Sequence, residues 1–163
     1  AWVEPGTPEM ETVKAMVTEC CQYLAKSIAR DGEGSTILLE VEVSGADSDA
    51  NACKIAKTVC GSSLFKAAVF GRDPNWGRIA AAAGRAGVSF DQNLMSIKLG
   101  PIQLMDRGTP LSFDEKAASK YIVAASEAEY LSGKDTVRVE INLGSGTGKG
   151  TAWGCDLSYD YVK

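Results

Sequence analysis

Residues 137–143 alternate without a break. Val137, Val139, Ile141 and Leu143 are apolar, and Arg138, Glu140 and Asn142 between them are polar. Successive side chains on a strand point to opposite faces, so this segment requires a sheet with one covered face. Residues 36–43 repeat the signal, with Ile37, Leu39, Val41 and Val43 on one side and Glu40 and Glu42 on the other. Leu38 joins the polar side, which predicts partial cover there too.

Elsewhere the period changes. Over 8–29, Met10, Val13, Val17, Cys20, Cys21, Leu24 and Ile28 recur at helical spacing and form one apolar face. Thr7 is placed to cap this helix, with Pro8 at its first position and Glu9 and Glu11 in its first turn. Ser48 is expected to cap a second helix from Asp49 to Cys60, with Gly61 as its C′ residue and Cys53, Ile55, Ala56, Val59 and Cys60 on its buried face. Leu64–Phe70 is a short apolar run, read as a strand. Trp76–Ala83 is a small-residue helix ended by Gly84. Met95, Ile97 and Leu99 lead through Gly100-Pro101 to Ile102–Met105, which is a hairpin pattern. Ser112-Phe113-Asp114-Glu115 fits a capping box for a helix to about Ala125, and residues 149–153 add a further strand. The expected fold is α/β (α+β): a mixed, largely antiparallel sheet with helices packed on one face. Residues 1–34 are assigned to a helix and loop of a neighbouring catalytic core, and 35–163 to one C-terminal α/β domain.

Composition removes several function classes. Among 163 residues, 45% are hydrophobic and 23% charged, the globular range, and the net charge is −4. No basic stripe points to nucleic acid. No run approaches the ~18 apolar residues that span a membrane. Ala1–Pro5 shows neither the charged nor the apolar region of a signal peptide. The five cysteines, Cys20, Cys21, Cys53, Cys60 and Cys155, form no Cys-x-x-Cys and read as core thiols of a reducing compartment. There is no histidine, which excludes Ser-His-Asp and Cys-His nucleophile systems and most zinc sites.

Three segments carry candidate chemistry. Gly144–Thr151 is glycine-rich after a strand, as a phosphate loop is. Its spacing fails: Gly150, not Ser or Thr, follows Lys149, and Leu143 stands where the first glycine belongs. A flexible turn between strands fits better. In Arg72-Asp73-Pro74-Asn75-Trp76-Gly77-Arg78, Asp-Pro starts a turn, Asn75 can cap the next helix and Trp76 can anchor the loop. Either arginine could grip a carboxylate bidentately. Asp31-Gly32-Glu33-Gly34 sets two acids in a glycine-flanked loop. It is either an ordinary helix end or a site where a ligand ammonium group comes close.

Taken together, Arg30–Gly34, Phe70–Arg78 and Ala152-Trp153-Gly154-Cys155-Asp156-Leu157-Ser158-Tyr159-Asp160-Tyr161-Val162-Lys163 resemble the β chain of the ornithine acetyltransferases. These are also called glutamate N-acetyltransferases, or arginine-biosynthesis bifunctional proteins. The resemblance implies an N-terminal-nucleophile-like enzyme whose precursor cleaves itself into α and β chains. A threonine opening the β chain takes acetyl from N-acetylornithine, or in bifunctional members from acetyl-CoA as co-substrate, and passes it to glutamate. It implies no cofactor or metal, partnership with the α chain in an α2β2 heterotetramer, and a bacterial cytoplasm or a chloroplast stroma. It makes Glu33 a substrate-binding residue. No catalytic residue is expected in this chain, because the nucleophilic threonine would lie upstream of Ala1. The chain therefore reads as an excised part, inactive alone. Two other readings remain open from the residues: an N-terminal-nucleophile aminopeptidase or amidase, and a non-catalytic interaction domain.

Overall fold

The computed structural model describes residues 2–163. The chain runs through α1 (Pro8–Arg30), β1 (Leu38–Ala46), α2 (Asp49–Cys60), α3 (Ser63–Phe70), α4 (Trp76–Gly84), β2 (Ser96–Leu99), β3 (Ile102–Asp106), β4 (Thr109–Pro110), α5 (Glu115–Glu127), β5 (Thr136–Asn142) and β6 (Gly148–Cys155). The strands form one sheet in the order β4-β3-β2-β5-β1-β6. Only β1 and β5 pair in parallel, from Leu38 opposite Thr136 to Ser44 opposite Asn142. The other neighbours are antiparallel, so the sheet is mixed and largely antiparallel, as expected.

The two alternating segments meet in register, and their apolar faces become one core. Leu39, Val41, Val43, Val137, Val139 and Ile141 are buried in a single cluster with Ile55 and Val59 of α2, Phe65 of α3, Ile79 of α4 and Ile122 of α5. Gly100 closes the β2–β3 turn at φ +54°, where Tyr121 lies so close that a Cβ would touch its ring. The Tyr121 hydroxyl in turn accepts the Arg138 N–H at 3.0 Å, beyond the end of β2.

The opposite face of the sheet is the one that Leu38 predicted to be partly covered, and Leu38 is buried. Glu40 on this face is only 5% exposed. It accepts the Trp153 indole N–H at 2.8 Å and pairs with Lys26 of α1 at 2.9 Å and Arg138 at 3.0 Å. Burial alone would raise its pKa. The Trp153 and Lys26 hydrogen bonds and the two cations outweigh burial and lower it. A depressed carboxyl pKa stabilises the fold above the unfolded value and loses that contribution as pH falls through the folded one. Below about pH 4.5, the ordinary value, wild-type protein is expected to lose stability faster than Glu40→Gln. Urea midpoints measured at successive pH values check this, and parallel curves would refute it.

Several expectations change. Leu64–Phe70 is not a strand but part of α3. The Ser62 hydroxyl accepts the Phe65 N–H, and Phe65, Ala68 and Val69 bury one helical stripe. A short apolar run cannot settle its own period, and here a cap and two alanines favour the helix. The cap of α5 is Asp114, whose carboxylate accepts the Ala117 N–H, rather than Ser112. Gly61 is the C-cap of α2 at φ −84°, not a left-handed C′ residue, and Cys53 is only half-buried.

The cysteines are not all core thiols. Cys60 is buried, Cys53 and Cys155 are half-buried, and Cys20 and Cys21 are exposed. Their exposure belongs to a larger feature. The apolar face of α1, including Met16, Val17, Leu24 and Ile28, lies open to solvent. Among the described residues, the ion pairs that tie this helix to the rest of the fold lie near its C-terminal end, Lys26 with Glu40 and Arg30 with Asp135.

Candidate functional site

Glu33 stands where α1 ends and the chain turns into β1. Asp31 caps the helix by donating its N–H to Ser27 O, and Ser35 N–H returns to Gly32 O at 2.9 Å. Gly34 adopts φ +68°, and a Cβ there would collide with Ser158 Oγ and Tyr161 N. Only glycine fits, because the segment after β6 lies directly on the loop.

That C-terminal segment shapes the loop. Asp156 is 3% exposed. Its Oδ1 accepts the N–H groups of Thr36 at 2.8 Å and Ile37 at 3.2 Å, and its Oδ2 accepts the Thr36 hydroxyl at 2.5 Å. Arg30 fastens the loop from the other side. It pairs with buried Asp135 at 2.9 Å and donates to Ser35 O at 3.1 Å. Its guanidinium lies 5.0 Å from the centre of the Tyr130 ring.

The loop opens onto a cavity of about 210 Å³ whose wall includes Glu33, Ser63, Lys66, Cys155, Asp156 and Tyr161. Glu33 itself is exposed and, among the described residues, engages no hydrogen-bond or ion-pair partner. Its carboxylate is therefore available to a ligand cation. Cys60 lies beneath the site and is no nucleophile. Burial pushes its thiol up to about 12, and it donates to Ala152 O at 3.4 Å, so it stays protonated.

The Arg72–Arg78 loop behaves as a structural turn. Asn75 caps α4 by accepting the Arg78 N–H at 3.0 Å and donates to Asp73 at 2.9 Å. Trp76 packs partly buried against the core, as expected. Neither arginine grips a carboxylate. Arg72 donates to Val69 O at 3.1 Å and Thr36 Oγ1 at 3.5 Å, and Arg78 donates to Leu64 O at 2.8 Å. A larger cavity of about 430 Å³ adjoins Asp73, Asn75, Trp76, Phe113 and Glu115, where Asn75 is engaged by its capping bond and by Asp73.

The sequence profile of the ArgJ family matches residues 3–163. The chain belongs to the ArgJ family. It is 60% identical over 156 residues to the arginine biosynthesis bifunctional protein ArgJ of Synechocystis sp., a match covering 96% of this chain and 38% of that protein. It is 61% identical over 142 residues to the chloroplastic ArgJ bifunctional protein of Citrullus lanatus, covering 87% of this chain and 30% of that one. The crystal structure of ArgJ from Bacillus halodurans superposes with a TM-score of 0.90 at 42% identity, covering 98% of this chain and 71% of that one. The chain thus spans about two fifths of the length of the cyanobacterial relative. The ArgJ fold accounts for the mixed sheet.

Lys66 escaped sequence reasoning as a site residue, and Asp156 and Tyr161 entered only as part of a motif. Lys66 was hidden in the run misread as a strand. The Ser62–Phe65 cap spacing was the signal that would have placed it on a helix facing the loop.

Proposed function

We propose that this chain is the substrate-binding portion of an acetyltransferase that moves acetyl from N-acetylornithine to glutamate in arginine biosynthesis, with acetyl-CoA as a further donor in a bifunctional enzyme. Glu33 holds the substrate's ammonium group. The nucleophile is a threonine on polypeptide outside this chain. The observation carrying this reading is an unpaired carboxylate at the mouth of a small cavity, in a loop shaped by two buried anchors, within a family whose relatives are called arginine biosynthesis bifunctional proteins. The open apolar face of α1 supports partnership with further polypeptide, the α chain of the same precursor in an α2β2 assembly. Among the described residues no helix is long and apolar enough to cross a membrane. Cyanobacterial and chloroplastic relatives support a cytoplasmic or stromal location.

In the complete enzyme, Glu33→Gln is expected to raise the KM for N-acetylornithine roughly 10- to 100-fold, the loss of one charge-assisted contact. The kcat should change much less, since uniform binding is what disappears. Steady-state kinetics on correctly folded variant decide it, and an unchanged KM sinks the assignment.

A further inference from the structure

We infer that Lys66 is the carboxylate-binding residue of the Glu33 cavity, so that the pocket recognises an amino-acid substrate by both of its charges. The inference rests on Glu33 being the ammonium-binding residue. Three charged side chains line the cavity: Glu33, Lys66 and Asp156. Asp156 is occupied, since its carboxylate already accepts three hydrogen bonds from Thr36 and Ile37. Lys66 is half-buried and, among the described residues, forms no ion pair and donates no side-chain hydrogen bond. The wall therefore offers one free anion and one free cation. N-acetylornithine at neutral pH carries one ammonium and one carboxylate, and glutamate carries both groups as well. A half-buried ammonium without a counter-ion is costly to retain, and a ligand carboxylate supplies the missing partner.

Both poles are held by the same clasp. The Leu157 N–H donates to the carbonyl of Lys66 at 3.3 Å, which ties α3 to the segment after β6. That segment also packs on Gly34 and holds Thr36 and Ile37. Ser62 caps α3, and the neighbouring Phe65 is buried in the core. The distance between the two charges is therefore set by one rigid unit, which is what recognition of a fixed separation requires. A lone Glu33 would accept any amine. Adding Lys66 selects against amines that lack a carboxylate.

The test uses the complete enzyme and two donors, N-acetylornithine and its carboxamide. Lys66→Met keeps the aliphatic stem and removes the charge. It is expected to raise the KM for N-acetylornithine roughly 10- to 100-fold with kcat within about threefold, and Lys66→Arg should recover most of the loss. For the carboxamide, Lys66→Met and wild type should give the same KM. An unchanged KM for the acid, or an equal rise for both donors, overturns the inference. If Lys66→Met does not fold, judged by its melting temperature, Lys66→Gln is read by the same criteria. Glu33→Gln is run beside it. A flat Glu33→Gln with the Lys66 pattern intact removes the Glu33 assignment and with it the two-charge reading, leaving Lys66 as a carboxylate-binding residue alone, and the reverse removes only the Lys66 assignment.

Discussion

Gly150→Ala is expected to destabilise the protein by about 3 kcal/mol or more, the upper range of overpacking, because the new methyl has nowhere to go. A Cβ at Gly150 would meet the backbone of Cys53 and Ala52 in α2. Gly146 and Gly148 are similarly closed, against the backbone of Ala46 and Ser48. Backbone cannot rotate away as a flexible side chain can. Lys149 between them is exposed, and Lys149→Ala should stay within about 0.5 kcal/mol. Chemical denaturation of both variants checks the pair. A mild Gly150→Ala would show that β6 and α2 can separate. The contrast also reinterprets the glycine-rich segment. Residues 144–147 are the expected turn between two strands, while 148–151 run on as part of β6, and the small residues there admit a neighbouring helix rather than a phosphate.

Arg30→Met is expected to cost about 3–5 kcal/mol, the penalty for stranding a buried charge. Asp135 is 0% exposed. Its Oδ2 takes the Arg30 Nε–H at 2.9 Å and the Leu131 N–H at 2.9 Å, while its Oδ1 finds no partner among the described residues. Without Arg30, that carboxylate keeps one backbone hydrogen bond. Adding Asp135→Asn to Arg30→Met should recover part of the loss, because no net charge is then buried. Urea denaturation of the two single variants and the double variant measures the coupling. Strict additivity would mean that the pair contributes nothing through its contact. Arg30 also donates to Ser35, so the variant should loosen the Glu33 loop as well.

The sequence made the sheet legible where one face was covered and the other wet. Val137–Leu143 and Ile37–Val43 satisfied that condition, and their period survived intact in β5 and β1. Caps placed beside a clear periodic run were also readable, as Thr7, Ser48 and Asn75 show. Leu64–Phe70 failed because it is apolar nearly all round and eight residues long as a helix, too short for a period to declare itself. The helical period of α1 was correct, but a period cannot say what covers the face it marks. At the site, Glu33 was noticed because two glycines flanked it. Asp156 carried no local signal, and Lys66 carried only the Ser62–Phe65 cap spacing, which places a helix without naming a role; the meaning of both comes from what lies opposite them. Asp156 and its partner Thr36 are 120 residues apart.

That separation governs the order in which the molecule can be completed. The parallel pair, β1 and β5, joins residues about 100 positions apart, and closing so long a loop precedes any reward from the contact. The Glu33 loop waits longer still. Residues 30–36 come early along the chain, yet the groups that shape them, Asp135, Asp156 and Tyr161, all come late. A nascent chain, or one clipped before residue 156, carries the loop without the bonds that give it form. The shape of the Glu33 loop is thereby made contingent on the finished fold.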